Sequence, residues 1–224
     1  ELASYFAESK AYQASNKSPR HLPFEALQGV IEGSKKLYVH VDGERGITDA
    51  INFAKNTNIK HIVIVGGYEA HKVSSLLKQN NIPVLLQRVH SEPNNDDDDY
   101  DLPFKLANKL VNAGVLVGLE NAGGMERMNA RNLPFLAGTC AAYGLNKEQA
   151  LSLITLNTAK ILGIDNMVGS LEVGKDATLF ISEGDALDMR TNKLEKAYIQ
   201  GRDISLESHQ TELYKRYSNK YKQQ

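Results

Sequence analysis

The sequence predicts an α/β fold built on a parallel sheet, and three observations carry that expectation. Short, nearly all-apolar runs recur at Leu37–Val41, His61–Val65, Pro83–Leu86 and Val115–Leu119. Amphipathic stretches separate them, with Ile47, Ile51 and Phe53-Ala54 after the first, Val73, Leu76 and Leu77 after the second, and Leu106, Leu110 and Val111 after the third. Turn-forming or polar residues follow three of the runs directly: Asp42-Gly43, Gly66-Gly67 and Glu120-Asn121. Strands that are apolar throughout and alternate with amphipathic helices belong to a sheet buried on both faces.

Two helices are expected ahead of this series. The first covers roughly 2–16, with Leu2, Tyr5, Phe6 and Ala11 available to one face, until Ser18-Pro19 breaks it. The second starts near Pro23, buries Phe24, Leu27 and Ile31, and stops at Gly33-Ser34. The connection after the third strand, 87–101, is long and includes the run Asp96–Asp99, whose mutual repulsion suggests a mobile solvent loop. Segment 123–143 reads as interrupted helix, with Leu136, Cys140 and Tyr143 at helical spacing. Asn146 with Gln149 reads as a capping box opening a single helix whose apolar face would hold Leu151, Ile154, Ile161 and Leu162, ended by Gly163. Short strands are expected near 177–182, 196–201 and from Ile204. The tail from Ser208, rich in Lys, Tyr and Gln, suits an exposed helix.

Composition bounds the function. The chain has 224 residues with 42% apolar content, enough for a sizeable core. A net charge of −1 gives no electrostatic footprint for nucleic acid. No apolar run reaches the roughly 18–20 residues that a membrane span needs. The single cysteine, Cys140, excludes an internal disulfide and reads as a buried helical thiol.

The wording of one stretch is more specific than its pattern. "ITLNTAKILGI…VGSLEVGKDATLFI", between Ile154 and Ile181, resembles the last barrel helix and the C-terminal β-sandwich of amidohydrolase-superfamily enzymes, near their imidazolonepropionase-like members. The resemblance extends upstream over most of the chain. It implies the C-terminal half of a TIM-like (β/α)8 barrel followed by a small β segment: a partial barrel over 1–164, sandwich strands over 165–206 and a tail over 207–224. Polypeptide preceding Glu1 would supply the other half. A second copy is the alternative companion, because half a barrel leaves strand edges and an apolar face open.

The resemblance also implies a chemistry. Amidohydrolases hydrolyse C–N bonds of small-molecule substrates with one or two divalent metals, zinc or similar, at the C-terminal mouth of the barrel. The metal activates a water, and a strand-end aspartate moves the proton. On this chain, His40 in YVHVDG falls at the fifth-strand histidine and is the one metal ligand implied for the intact protein. Gly66 in IVIVGGYEA stands at the sixth-strand histidine, and Glu120 or Asn121 in VLVGLENAGG stands at the eighth-strand aspartate. The remaining ligands fall outside the chain, so a tight metal is not expected on this half alone. Glu120 and Asn121 are the catalytic candidates; Asp42, Gly66, Gly67, His90 and Arg131 are the substrate-binding candidates.

Each has a plainer reading. His40 can be a strand-end imidazole bonded to a neighbour, and Asp42-Gly43 an ordinary turn. Gly66-Gly67 can receive an anion on its amides or simply make a tight turn. The loop from Arg88 and His90 can be a lid or flexible padding. Glu120 with Asn121 can be a structural hydrogen-bonded pair, and Glu126, Arg127 and Arg131 an ion pair rather than a carboxylate clamp. His21, His61, His71 and His209 read as structural. Two functions follow: a hydrolase with an atypical metal site, or a scaffold that kept the fold and lost the centre.

Overall fold

The computed structural model describes residues 1–87, 89–121 and 126–222, with the side chains of Glu126 and Arg127 outside the description. Helices α1 (Leu2–Ala14) and α2 (Leu22–Glu32) precede four βα-type units. These run β1 (Leu37–Val41), α3 (Glu44–Asn56), β2 (Ile62–Gly66), a 3-10 turn (Ala70–Val73) leading into α4 (Ser74–Gln79), β3 (Val84–Leu86), α5 (Leu102–Asn112) and β4 (Val117–Leu119). The strands pair in parallel in the order β1-β2-β3-β4, with His40 opposite Val65, Val65 opposite Leu85 and Leu85 opposite Gly118.

Consecutive strand order determines where the helices go. Right-handed crossovers between adjacent parallel strands place every connecting helix on the same face of the sheet. Alternation along the strands then divides the residues. Leu37, Val39, Val41, Ile62, Ile64, Val84, Leu86, Val117 and Leu119 join the large core that includes Ile47 and Ile51 of α3, Leu77 of α4 and Leu106 and Leu110 of α5. The opposite, inner face carries Val63, Val65 and Leu85, which form a separate small cluster with Ile161.

Ile161 arrives on a helix bent away from its neighbour. The segment expected as one helix from Asn146 is two: α7 (Lys147–Ile154) and α8 (Leu156–Leu162), divided at Thr155 with φ −126° and ψ −97°. The break resets the helical phase. Ala150 and Leu153 are the buried residues of α7 and Ala159 and Ile161 those of α8, whereas Leu151 and Leu162 are exposed, so the single apolar face predicted from period alone does not exist. Asn157 Nδ2 donates to Val117 O at 3.0 Å and ties α8 to β4.

The capping box at the start of α7 is present in both directions, Gln149 N to Asn146 Oδ1 at 2.8 Å and Asn146 N to Gln149 Oε1 at 3.0 Å. Replacing Asn146 by alanine is expected to lower unfolding free energy by about 1 kcal/mol, read as a shift in urea midpoint at constant slope.

Helix α6 (Leu133–Ala142) follows a 3-10 segment (Glu126–Asn132) and packs against α7. Its Gly138 allows a close approach: a Cβ there would lie 2.1 Å from the carbonyl oxygen of Leu187. Beyond α8, strands β5 (Leu179–Ser182), β6 (Leu194–Ile199) and β7 (Arg202–Ile204) form an antiparallel sheet, and α9 (His209–Lys222) has no buried residue. Cys140 is buried in α6, and desolvation pushes its thiol up to about 12, which leaves it inert.

The long connection after β3 is tied down. The Tyr68 hydroxyl donates to Asp98 Oδ2 at 2.7 Å and accepts from Asn94 N at 3.0 Å. Asn95 N and Nδ2 also donate to Asp98 Oδ2, at 3.2 and 2.9 Å. One carboxylate of the acidic run is therefore an anchor, because hydrogen bonds to its charged form outweigh repulsion from its exposed neighbours.

Candidate functional site

The C-terminal ends of β1–β4 gather the candidates on one rim. His40 lies on the inner face of β1, opposite Val65 of β2, and is exposed. Glu120 N extends the β3–β4 pairing by donating to Leu86 O at 3.0 Å, and alternation from Gly118 places its half-buried side chain on the same inner face. Asn121 is half-buried, and its Nδ2 has no hydrogen-bond partner among the described residues. Gln87, just past the end of β3, completes the row; only its position two residues after inward-facing Leu85 could have singled it out.

Asp42 is exposed and bonds to the turn that follows β2. Its backbone carbonyl accepts from Glu69 N at 2.8 Å, and its Oδ1 accepts from Tyr68 N at 3.4 Å. Gly67 N donates to Val41 O at 2.9 Å. The amides of 67, 68 and 69 are thus taken by the end of β1, and the turn serves to join two strand ends. Gly66 has φ +97°, and a Cβ built on it would lie 2.5 Å from Asp42 Oδ1. A carboxylate from β1 therefore occupies the volume into which a side chain from β2 would project.

The other candidates fall outside this row. His90 is held by α6: its Nε2 lies 2.6 Å from Thr139 Oγ1, and since that hydroxyl donates its proton to Phe135 O at 3.1 Å, the imidazole is the donor. Arg131 is exposed in the 3-10 segment. Arg88 and the side chains of Glu126 and Arg127 lie outside the described residues.

His40 and Glu120 stand on the two edge strands of the sheet, β1 and β4, with Gln87 between them. Among the described residues no group of three or more His, Cys, Asp or Glu side chains converges to hold a metal. The described residues alone therefore do not gather a metal-ligand set.

Burial sets the titration near the rim. His71, in the turn after β2 with Nδ1 3.3 Å from Tyr68 O, has its pKa lowered chiefly by desolvation. His90 is lowered for the same reason. A histidine whose folded pKa lies below its unfolded value stabilises the fold fully above about pH 6.5 and loses that contribution as pH falls. The melting temperature is expected to drop between pH 7.5 and 5.5, and the drop to be shallower in His71→Asn than in the parent chain.

Three comparisons bear on this arrangement. The Amidohydrolase family model matches residues 15–203. Imidazolonepropionase from Symbiobacterium thermophilum is 35% identical over 80 residues, covering 35% of this chain and 19% of that protein. Imidazolonepropionase from Shewanella frigidimarina is 55% identical over 38 residues, covering 17% and 9%. The crystal structure of an amidohydrolase from Thermotoga maritima superposes with a TM-score of 0.80 at 28% identity, over 91% of this chain and 54% of that one. The chain thus spans about half the length of that solved relative. With a family match over most of its length and a parallel α/β sheet shared with a solved amidohydrolase, this chain belongs to the amidohydrolase family.

Proposed function

We propose that this chain is the C-terminal part of a hydrolase that cleaves amide or cyclic-amide C–N bonds at an atypical metal site. The observation that carries the reading is the row of His40, Gln87 and Glu120 on one inner face at the C-terminal ends of a parallel sheet, in a chain of this family. In this reading β1–β4 are the second half of an eight-stranded barrel, residues 1–164, and β5–β7 with their flanks, 165–206, are sandwich strands followed by the tail. The open sheet edges and an apolar groove of about 710 Å³ lined by Leu151, Leu162, Ile164, Leu171 and Phe180 support a companion, either the first half of the barrel or a second copy.

Amidohydrolases generally use divalent metals, and His40 is the ligand this chain would contribute, the rest coming from the companion half. The residues present here would act around the scissile bond. Glu120 takes a proton from the attacking water and returns it to the leaving nitrogen as the C–N bond breaks. The Asn121 amide donates to the oxyanion formed on the carbonyl.

A second reading, a scaffold without hydrolysis, draws on Gly66, whose missing side chain is replaced by the Asp42 carboxylate. The protein joined to its preceding polypeptide discriminates between them when assayed on a panel of small cyclic amides. Under the hydrolase reading Glu120→Gln lowers turnover about 100-fold or more with metal content intact, and His40→Ala lowers metal stoichiometry. Metal-free protein that turns over none of the panel would establish the scaffold instead. Light scattering on the chain alone reads the companion: a stable monomer at high concentration counts against it.

A further inference from the structure

At the opposite, N-terminal ends of the strands lies a concave cleft of about 360 Å³ bordered by Lys36, Lys55, Lys60, Lys160, His61 and Asn81. That size falls at the lower end of small-ligand sites, about 300–1,000 Å³. Among the described residues no aspartate or glutamate lines it. Elsewhere the described lysines commonly sit on carboxylates, as Lys72 does on Glu69, Lys105 on Asp101 and Lys147 on Asp185. None of the four cleft lysines has a carboxylate within 4.0 Å among the described residues. Lys160 acts on Glu172 only as the last and smallest of the causes that lower that carboxylate's pKa.

Two of the lysines are pre-positioned by backbone. Lys36 Nζ donates to Lys160 O at 3.0 Å and to Ile161 O, at the C-terminal turn of α8. Lys60 Nζ donates to Glu32 O at 3.3 Å, the last residue of α2. Helix C-termini favour cations, so these two ammonium groups are fixed at the walls. Lys55 and Lys160 are exposed, with no hydrogen bond recorded for either ammonium group among the described residues. Four like charges around a concavity, uncompensated by acid, concentrate a positive potential there. Lysine binds phosphate oxygens as a point charge without needing a planar fork.

We infer that this cleft binds a small, multiply charged oxyanion of the phosphate or pyrophosphate class, remote from the candidate hydrolytic rim. One phosphate group cannot reach four cations spread around such a volume, which favours two linked phosphoryl groups over one. Bound there, the anion would join α8, the end of α3 and the start of β2, and so stabilise the fold. The inference is independent of hydrolysis.

Inorganic pyrophosphate titrated into the chain, followed by calorimetry and by thermal unfolding, tests it. Saturable binding is expected, with a melting temperature raised by about 3 °C or more at 100-fold excess over Kd, and not by sulfate at matched ionic strength. The double variant Lys55→Glu/Lys160→Glu replaces two exposed side chains, so far-UV circular dichroism should be unchanged while affinity falls by about tenfold or more. Binding that does not saturate, pyrophosphate acting no differently from sulfate, or equal affinity in the folded double variant overturns the assignment.

Discussion

Replacing Gly66 by histidine, the residue the family resemblance implies at this strand end, is expected to cost about 2–4 kcal/mol of stability and to create no metal ligand. Two separate effects add. Residue 66 has φ +97°, where an L side chain pays roughly 1–2 kcal/mol. The new Cβ would also meet Asp42 Oδ1 at 2.5 Å and Val41 O at 3.3 Å. The carboxylate relieves this contact only by giving up its 3.4 Å bond from Tyr68 N, and the Asp42 backbone stays held by Glu69 N. Urea unfolding reads the cost and zinc titration reads the ligand. Removing Asp42 separates the two effects: in Asp42→Ala/Gly66→Ala the steric part, about 1–2 kcal/mol, should be recovered and the backbone part should remain, a departure from additivity characteristic of contacting residues. An unchanged midpoint with tight zinc in Gly66→His would show that the space at 66 is free and that the hydrolytic centre is one substitution away.

The second large effect separates the two faces of the sheet. Ile64, at the middle of β2 and fully buried, lies under the helix layer in the main core. Ile64→Ala is expected to destabilise by about 3–4 kcal/mol, the lost transfer energy plus a cavity that close-packed helices cannot collapse. Val65, its neighbour on the inner face, packs among the described residues in a small cluster with Val63, Leu85 and Ile161. Val65→Ala should cost about 1–2 kcal/mol, because fewer methyl groups are removed and the thinner layer relaxes. Denaturation midpoints at a common slope check both. Equal losses would mean that the inner face is as tightly sealed as the outer, and would remove one support for a barrel completed by further polypeptide. Measured together with that polypeptide, Val65→Ala should move towards the larger value.

These expectations bear on the choice between hydrolase and scaffold. The rim retains an imidazole, an amide and a carboxylate in a row, which is what a completed centre would use. It has also invested Asp42 and the 67–69 amides in joining β1 to β2, which a substrate site would leave available. The hydrolase reading therefore places its chemistry on His40, Glu120 and Asn121 and assigns Asp42, Gly66 and Gly67 to positioning.

Much of the fold was legible in the order of residues. Continuous apolar runs such as Ile62–Val65 admit burial on both faces and little else, Pro23 and Gly33 bound a helix by backbone stereochemistry, and Asn146 with Gln149 specify a cap through contacts three residues apart. The family wording between Ile154 and Ile181 likewise needed no coordinates. What local sequence could not decide were matters of distance and angle between separated segments. The break at Thr155 depends on α8 turning in to set Ile161 on Val63, Val65 and Leu85. The anchoring of Asp98 depends on Tyr68, thirty positions earlier. His90 reaches Thr139 rather than the rim, Asp42 fills the side-chain volume at Gly66, and four lysines scattered from 36 to 160 surround one cleft. Periodicity reports which face of an element is apolar; only packing decides which other element meets it, and the chemistry of a site is made at those meetings.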